Sequence, residues 1–478
     1  MDSLKKFVNK NTTGIPLRLT KKFLNDKNLN KAIKKAIPIL TSLKKDSRLK
    51  IDNNTLQKDV LNFYNKNTIV PFSPISAQGP WLIDKNASII YDTGGYGMLG
   101  FGHCPEWSLE ILGKPHVMAN IMTPNDIQYE FIELLKKKIG MNRDDLKCPY
   151  SKFAFLNSGS EGMEFALRVS DINKRHSVKK SAYIVLKNGF HGRTTNASML
   201  SDSTKKSYKK YLRSYMLDKP VFTVMLNNID QLYKQFYSLK NEYEIDSIVM
   251  EPVMGEGNPG EMISKDFYNL ARKLTKDHGA NLIIDSVQAG IRTNGYLSVV
   301  DYPNLKNEEA PDMEVFSKAI NAGQYPLSVI AVNKKVADTF KTGIYGNTMT
   351  GNPKALEIGI ATLNQITPEL IKHIQIQGVK FKLMLESVKK NFPFIAISVS
   401  GRGLLAAIHI NDKIPVVKED IGLEYFCRKN GLNVIQGGKN ALRFTPRFDI
   451  TDDEIELIQN LLMFTFEEYT NKIIRNLN

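Results

Sequence analysis

The first residue that could take part in chemistry is an aspartate that directly follows an apolar run. The stretch LIIDSVQAG, residues 282–290, places Asp285 at the end of a predicted buried strand, and Gln288 follows three positions later. A carboxylate that is buried without a positive partner costs several kcal/mol. The sequence therefore predicts that a cationic group lies against Asp285.

A second stretch could bind an anion. In FLNSGSEG, residues 155–162, an apolar strand is followed by a turn of small residues, and a helix is predicted to start near Ser160. Ser158 and Glu161 have the spacing of a capping box. The backbone N–H groups of Gly159 and Ser160, at the positive end of the helix dipole, would suit a phosphate. An ordinary capped helix explains this stretch equally well.

A lysine supplies the third group. Lys318 in SKAINAG, residues 317–323, follows the apolar stretch MEVF. A single lysine is usually a solvated surface residue. Together with the anion-binding turn and the buried carboxylate, however, it completes the set of three partners that pyridoxal phosphate needs. This cofactor needs an amine for its aldehyde, an anion site for its phosphate and a carboxylate for its ring nitrogen. The predicted positive partner of Asp285 is then the ring nitrogen of that cofactor.

A glycine-rich stretch suggests a different cofactor at first sight. GYGMLG, residues 95–100, fits the G-x-G-x-x-G pattern of dinucleotide-binding turns. That pattern must open a helix, and here FGHCPE follows, with glycine, histidine and proline where the helix should begin. No acidic residue follows about 20 positions later in a second strand. We therefore do not expect a nicotinamide cofactor.

The elements that must position these residues alternate between strands and helices. Helical stretches such as KDFYNLARKLTKDHG, which closes on Gly279 in a C-cap position, separate short apolar runs. The predicted strands are KFAFL (152–156), AYIVL (182–186), SIVME (247–251), NLIID (281–285) and SVIAV (328–332). This alternation predicts an α/β fold with a mostly parallel sheet, whose strand ends would bring Asp285, Glu251 and residues 157–160 together.

The flanking regions predict a second domain and an arm. WLIDKNASIIYDTGG predicts a hairpin with its turn at Lys85 to Ala87, and the last hundred residues predict a smaller α+β domain. Before them, the helical pattern of LNKAIKKAIPILTSLKK is expected to be interrupted at Pro38. We predict a basic helical arm (1–75), an N-terminal part of the small domain (76–110), a large cofactor-binding domain (111–370) and the C-terminal small domain (371–478).

From about residue 80 onward the chain resembles the class III aminotransferases, pyridoxal phosphate enzymes of fold type I. Within that family it is most similar to the group acting on ornithine, acetylornithine, lysine or 4-aminobutyrate. The resemblance rests on seven motifs in the family's order: NSGSEG, FHGRT, EPVMGEG, LIIDSVQAG, FSKAINAG, GNTMTGNP and LRFTPRFDIT. It implies a large domain with a mostly parallel sheet and a small α+β domain.

The resemblance also implies a role for each matching residue. Lys318 would form the Schiff base with the cofactor and then move a proton as general base and acid, while Asp285 would keep the ring nitrogen protonated. The other implied cofactor contacts are Gln288 at the ring hydroxyl, Phe190 on the ring face, Glu251 beside the cofactor, Gly159 and Ser160 at the phosphate, and Thr348 from a partner subunit. A contact from Thr348 would make a homodimer, with its active site at the interface, obligatory for activity.

The implied substrate residues describe the reaction. Arg443 would grip the carboxylate of a keto acid with its guanidinium fork, and Glu256 would pair with Arg443 when the substrate lacks a carboxylate there. Arg193 would be a second carboxylate clamp. Tyr96 stands where ornithine aminotransferases carry a substrate-contacting tyrosine. Together they imply that an ω-amino acid such as lysine or ornithine donates its terminal amine to 2-oxoglutarate by a ping-pong mechanism.

Two departures from the family pattern affect this hypothesis. Ser286 stands where the family usually has glutamate, which predicts the loss of a charge beside the cofactor and an altered fine specificity. Arg447 adds a cation close to Arg443. It predicts either a more acidic substrate or an acidic residue opposite. A racemase, aminomutase or decarboxylase of the same fold remains an alternative, although the Glu256 and Arg443 pair favours an aminotransferase.

Composition and charge limit the remaining classes. The net charge is +16, but residues 1–50 carry +11 of it, so a polyanion-binding function through that arm is a further alternative. No specific nucleic acid is expected. Three cysteines without paired spacing predict reduced thiols and a cytoplasmic location. No apolar run approaches the roughly 18 residues that a membrane span requires, and we expect neither a span nor a metal site.

Overall fold

The computed structural model describes residues 14–45, 51–62, 64, 66–94, 96–172, 174, 176–215 and 220–474. The strands are β1 Pro74–Gln78, β2 Trp81–Asp84, β3 Ile89–Asp92, β4 Lys152–Leu156, β5 Ser181–Leu186, β6 Val221–Val224, β7 Glu244–Met250, β8 Asn281–Asp285, β9 Met313–Phe316, β10 Ser328–Val332, β11 Ala396–Arg402, β12 Leu405–Ile410, β13 Leu432–Asn433, β14 Ile435–Gly437 and β15 Ala441–Phe444.

Helices connect most of these strands. They are α1 Leu17–Thr20, α2 Lys27–Lys45, α3 Asn53–Gln57, α4 Glu106–Leu112, α5 Asp126–Lys138, α6 Gly159–Ile172, α7 Thr195–Leu200, α8 Lys205–Tyr211, α9 Ile229–Leu239, α10 Lys265–Asp277, α11 Lys334–Thr339, α12 Pro353–Asn364, α13 Pro368–Asn391, α14 Leu423–Lys429 and α15 Asp452–Tyr469. Short 3-10 turns lie at Lys21–Phe23, Lys66–Thr68, Arg213–Tyr215, Val299–Asp301 and Lys318–Ile320, and a π-helical turn at Thr470–Ile474.

Contacts divide the chain into two compact units. Unit 1 comprises Met1–Glu106 and Ile376–Asn478, and unit 2 comprises Trp107–Gln375. Long α13 crosses from one unit into the other. The domain boundaries expected from the sequence, which set residues 1–75 apart as an arm, stay predictions.

Unit 2 contains a seven-stranded sheet in the order β4-β10-β9-β8-β7-β5-β6. Strands β9, β8, β7, β5 and β6 run parallel, whereas β10 is antiparallel to both β4 and β9. The central strands are buried on both faces because helices cover the sheet. This confirms the predicted mostly parallel sheet and its five predicted strands, with Glu251 lying one residue beyond the end of β7.

The crossover helices bring three strand ends to one edge of this sheet. Between β7 and β8, α10 begins at the cap Ser264, whose hydroxyl accepts a hydrogen bond from Phe267 N. Gly279, with φ +66°, follows its end, as predicted from the sequence. Because parallel strands end at the same edge, Glu251 after β7, Asp285 at the end of β8 and Lys318 after β9 lie at that edge.

Unit 1 contains two four-stranded sheets, in the orders β1-β2-β3-β13 and β11-β12-β15-β14. The predicted hairpin is confirmed: β2 and β3 pair antiparallel, and Ala87 in the turn has φ +61°. Helix α15 begins with a complete capping box between Thr451 and Glu454. No helix among the described residues is long and apolar enough to cross a membrane.

The N-terminal segment corrects one prediction. Helix α2 continues through Pro38 to Lys45 instead of being interrupted at the proline. The proline removes one backbone donor, but the buried face of α2 lies before it, at Leu29, Ala32, Ile33 and Ala36, so packing holds the helix up to Pro38. Part of the positive charge of this segment is paired within the protein, since Lys22 forms ion pairs with Asp453 and Glu456.

The glycine-rich stretch at 95–100 opens no helix. Gly95 lies outside the described residues, and the residues from Tyr96 to Pro105 form turns and loops before α4 begins at Glu106. A dinucleotide pyrophosphate would therefore find no helix N-terminus at this stretch, in agreement with the sequence analysis.

Candidate active site

Asp285 is buried at the end of β8, and two groups of unit 2 contact its carboxylate. His191 Nδ1 lies 2.9 Å from Asp285 Oδ2, and Val287 N donates to Asp285 Oδ1 at 3.1 Å. The His191 side chain is fully buried, and among the described residues its Nε2 atom has no hydrogen-bond partner. The sequence analysis assigned no role to His191, although it lies inside the FHGRT motif.

Glu251 fixes the backbone around the same histidine. Phe190 N donates to Glu251 Oε1 at 3.0 Å, and Gly255 N donates to Glu251 Oε2 at 2.7 Å. Burial raises the pKa of Glu251 to about 7, with His191 lowering it and Asp285 raising it further. Glu251 was predicted to lie beside the cofactor. In the structure it contacts the peptide that carries Phe190, so it orients that ring.

The NSGS turn follows β4 as predicted, and α6 begins at Gly159. Glu161 N donates to Ser158 Oγ at 3.3 Å, and Glu161 Oε2 accepts from Asn157 N at 3.0 Å, which gives this helix end a capping box shifted by one residue. Gly159 lies so close to the turn after Asp285 that a Cβ there would be 2.8 Å from Val287 Cγ1. Two of the predicted motifs therefore pack directly against each other.

The FHGRT motif closes on the same turn from another side. Arg193 N donates to Ser160 Oγ at 3.0 Å. Gly192 has φ +127°, and a Cβ there would lie 2.6 Å from Ser160 Oγ, so only glycine fits this approach. The guanidinium of Arg193 lies 5.5 Å from the Phe190 ring centroid, and its Nη1 donates to Tyr208 Oη at 3.4 Å.

Lys318 lies in the short helical turn after β9, and Lys318 Nζ donates to Gln288 Oε1 at 2.5 Å. Its backbone φ is +33°, in the left-handed region that residues with a side chain rarely adopt. Such strain is common at functional sites, where the surrounding structure maintains it. The structure thus joins the FSKAINAG and LIIDSVQAG motifs through two side chains.

Two further predicted residues of unit 2 lie in loops. Glu256 is half-buried, and next to it Gly257 would place a Cβ 1.9 Å from Asn188 O, which presses this loop against the residues before Phe190. Thr348 is exposed. Its predicted role across a subunit interface stays a prediction.

The other two predicted substrate residues belong to unit 1. Arg443 is buried in β15 at 2% exposure, and Tyr96 stacks on Tyr64 with ring centroids 5.3 Å apart. Arg447, which the sequence suggested as an extra cation, pairs with Glu454 at 3.2 Å and with Asp449 at 3.0 Å. An acidic residue therefore does lie opposite Arg447. The positive charge of Arg447 is balanced by these carboxylates and does not add to that of Arg443.

Ser286, for which the sequence analysis predicts the loss of a charge and an altered fine specificity, has a carboxyl group as its neighbour, and that prediction stays a prediction. Ser286 Oγ donates to Glu314 Oε1 at 2.5 Å, and Glu314 is fully buried in the neighbouring strand β9. A carboxyl group therefore lies against position 286 even though the residue there is serine. The described residues contain no cluster of three or more His, Cys, Asp or Glu side chains suited to a metal ion.

A comparison with protein families identifies the chain. Residues 63–465 match the model of the aminotransferase class-III family. The chain belongs to the class III aminotransferases. It is accordingly a pyridoxal phosphate-dependent enzyme of fold type I, as the seven motifs suggested.

Named relatives fall in the ornithine group of this family. Acetylornithine aminotransferase, mitochondrial, of Debaryomyces hansenii is 27% identical over 464 residues, which cover 95% of this chain and 93% of that protein. Acetylornithine aminotransferase of Prochlorococcus marinus subsp. pastoris is 31% identical over 327 residues, covering 67% and 75%. The solved ornithine aminotransferase of Toxoplasma gondii ME49 superposes with a TM-score of 0.75 at 20% identity, covering 90% of this chain and 98% of that one, and so shares its fold.

The residues of unit 2 fit pyridoxal phosphate. Glycines at positions 159, 192 and 255 leave space that a Cβ would fill, beside the N-terminus of the 14-residue helix α6. Two buried nitrogen atoms have no hydrogen-bond partner among the described residues: His191 Nε2, on the ring that contacts Asp285, and Gln288 Nε2, on the amide that contacts Lys318. Buried polar atoms are almost always paired, so these two are free to accept a ligand.

Proposed function

We propose that this aminotransferase moves the terminal amine of an ω-amino acid, such as ornithine or lysine, to 2-oxoglutarate by a ping-pong mechanism. The observation that carries the proposal is the convergence of Lys318, Gln288 and Asp285 at the ends of β8 and β9. The names of the relatives support the donor class, because ornithine and acetylornithine both carry their reacting amine at the end of the chain.

The cofactor would supply an aldehyde that condenses with an amine and a ring that accepts the electron pair left on the substrate carbon. Lys318 Nζ would hold the cofactor and, once released, move the proton at that carbon as base and then acid. Asp285 would keep the ring nitrogen protonated, with His191 orienting its carboxylate. The other proposed contacts are Gln288 at the ring hydroxyl, Phe190 on the ring face, and Gly159, Ser160 and the partner's Thr348 at the phosphate.

Substrate recognition would depend on three charged side chains. Arg443 would bind the carboxylate of the keto acid, and Glu256 would neutralise Arg443 while the donor is bound. Arg193 would hold the donor's own carboxylate, with Phe190 and Tyr208 limiting its movement. Tyr96 would contact the donor and select for a free α-amine. Two substrates of different charge pattern could then use the same enzyme in turn.

The visible absorption of the cofactor-loaded protein tests this proposal. Lysine, ornithine, acetylornithine and 4-aminobutyrate are added in turn, followed by 2-oxoglutarate. We expect the visible band to bleach with one donor and to return with the keto acid. A bound cofactor whose band ignores every donor would contradict amine transfer and favour the racemase, aminomutase or decarboxylase alternative.

We further propose a homodimer as the active form. Residues 117–122 of unit 2 expose several apolar side chains, with Met118 76% and Met122 81% accessible. The same unit has an apolar cavity of about 350 Å³ lined by residues that include Phe153, Phe165 and Phe340. Contiguous exposed apolar surface of this kind is typical of subunit interfaces. A second copy of the chain would bury it.

Substitution of an exposed methionine tests the dimer. M118E places a charge in the proposed interface, and we expect sedimentation to show a monomer with little activity. L146E alters an exposed apolar side chain outside that segment and serves as the matched control. A wild-type chain that sediments as an active monomer would contradict the proposal.

We also propose the cytoplasm as its compartment. The three cysteines Cys104, Cys148 and Cys427 are free, as expected in a reducing environment. The Debaryomyces hansenii relative is named as mitochondrial, which makes that organelle the competing outcome. Fractionation of the source cells with an antibody to this chain would distinguish the two, since recovery with a mitochondrial marker would contradict the proposal.

A further inference from the structure

Glu314 is a buried carboxyl group that the proposed reaction does not use. It lies in the middle of β9 with no solvent exposure. Donors from three separate parts of unit 2 reach it: Tyr150 Oη at 2.7 Å, Ser286 Oγ at 2.5 Å, Val299 N at 2.9 Å and Ser298 Oγ. A carboxylate with this many hydrogen bonds is a rigid junction, because each partner fixes the others.

Ser286 is the part of this junction that leads to the active site. Its N–H donates to Val315 O at 2.9 Å, its carbonyl accepts from Gly290 N at 2.9 Å, and its hydroxyl donates to Glu314. Every polar group of Ser286 is therefore engaged. Since Asp285 precedes it and Gln288 follows in the same turn, its position determines where both of those side chains lie.

The strand register places Glu314 next to the end of β8 and close in the chain to Lys318. In the parallel pair of β8 and β9, Ile284 lies opposite Glu314 and Asp285 lies opposite Val315. Four residues beyond Glu314 the chain reaches Lys318, whose Nζ contacts Gln288. One carboxyl group thus links the turn that carries Asp285 to the strand that carries Lys318.

We propose that Glu314 is a positioning residue, which acts through the Ser286 hydroxyl to fix the Asp285–Gln288 turn against Lys318. The inference rests on the proposed function. It also explains how the chain tolerates serine at position 286: the carboxyl group that the resemblance places there is supplied by the adjacent strand.

Two serine variants separate positioning from general stability. S286A and S298A each remove one hydroxyl donor from Glu314, but only Ser286 belongs to the Asp285–Gln288 turn. We expect S286A to weaken pyridoxal phosphate binding by the apo protein about tenfold, which corresponds to one buried hydrogen bond. It should also shift the pH midpoint of the visible band. S298A should change the dissociation constant less than about twofold, within the same estimate.

The readouts are the dissociation constant of the cofactor, the pH titration of its visible band and urea unfolding of the apo protein. Equal effects of S286A and S298A on binding and band would overturn the inference and leave Glu314 a structural residue. S286T keeps the hydroxyl and should behave like the wild type, which guards against a folding defect in S286A. A wild-type protein that shows no band sensitive to K318A would overturn the proposed function itself.

Discussion

The two sides of the Asp285 turn use buried acids in different ways. On the side of His191 and Glu251, some polar atoms make no hydrogen bond, since His191 Nε2 and Gln288 Nε2 lack partners among the described residues. On the side of Glu314, each acid oxygen accepts two hydrogen bonds from the protein. The difference separates side chains that are proposed to contact a ligand from side chains that are proposed to hold those ligand-contacting residues in place.

Both acids are fully buried, and burial raises the pKa of each to about 7. Titration behaviour alone would therefore not distinguish them. Their hydrogen-bond partners do, because Glu251 accepts from the peptide N–H of Phe190 whereas Glu314 accepts from the side-chain hydroxyl of Ser286. Substitutions on the first side should change chemistry most, and substitutions on the second should change stability and cofactor binding.

The largest effect is expected for K318A. Removal of the amine abolishes both the covalent attachment of the cofactor and the proton transfer, so the rate of amine transfer should fall at least about 10⁴-fold. Single-turnover spectroscopy with the best donor would measure it. Lys334, exposed and paired with Asp338, offers the matched control K334A, which should keep full activity.

A smaller effect is expected for D285N. The amide keeps the shape and one contact to His191 but cannot hold a proton on the ring nitrogen, so the rate should fall on the order of 10²–10³-fold. The urea midpoint of the apo protein should change little by comparison. A D285N enzyme with near wild-type turnover would contradict the distinction between the two sides.

E314Q should change how the free energy of unfolding depends on pH. Burial raises the pKa of Glu314 from 4.5 to about 7, so the folded state retains the proton that the unfolded chain releases. This contribution is complete below about pH 4.5 and is lost as the pH rises through about 7. The unfolding free energy of the wild type, relative to E314Q, should therefore fall by a few kcal/mol over that range.

Urea unfolding of the apo proteins at about pH 5 and about pH 8 would measure this difference. S298A retains the titrating group and should show a pH dependence at least as large as that of the wild type, because the Ser298 hydroxyl lowers the pKa of Glu314. Other buried acids, such as Asp246 and Asp301, are present in every variant and cancel. A difference that is independent of pH would mean that Glu314 does not titrate in this range.

The smallest effect is expected for Y208F. The hydroxyl accepts a 3.4 Å hydrogen bond from Arg193, and the loss of one such bond corresponds to roughly 2–10-fold in affinity. We expect KM for the amino donor to rise by that factor with kcat nearly unchanged. Y211F removes an exposed hydroxyl of the same helix and should have no effect. A Y208F enzyme with unchanged KM would assign Tyr208 to packing alone.

The sequence predicted local features and motifs better than contacts. Strand β8 and its terminal Asp285 followed from an apolar run with a polar end, and the glycines of the NSGS and FHGRT motifs marked positions where chains approach closely. His191 escaped notice because its partner Asp285 lies 94 positions away in the chain. A period or a spacing carries no information about such a pair.

The lack of information about long-range contacts also explains what the sequence analysis left open and where it was wrong. Glu314 occurs in an apolar stretch, and only the register of β8 against β9 shows that it meets Ser286. The sequence left open whether Arg447 meets a more acidic substrate or an acidic residue of the chain, and Glu454 of α15 lies against it. Tertiary burial of the half of α2 before Pro38 keeps that half helical despite the proline, and the helix then runs on to Lys45. In each case a long-range contact decided what a local pattern left open.

The order of strands in unit 2 has a consequence for how the enzyme is made. His191, Asp285 and Lys318 follow three parallel strands, β5, β8 and β9, and such strands pair only after long crossovers have closed. We therefore expect the groups that are proposed to hold the cofactor to come together late in folding. We expect partly folded chains to have little affinity for pyridoxal phosphate, so that cofactor uptake selects molecules whose central sheet is complete.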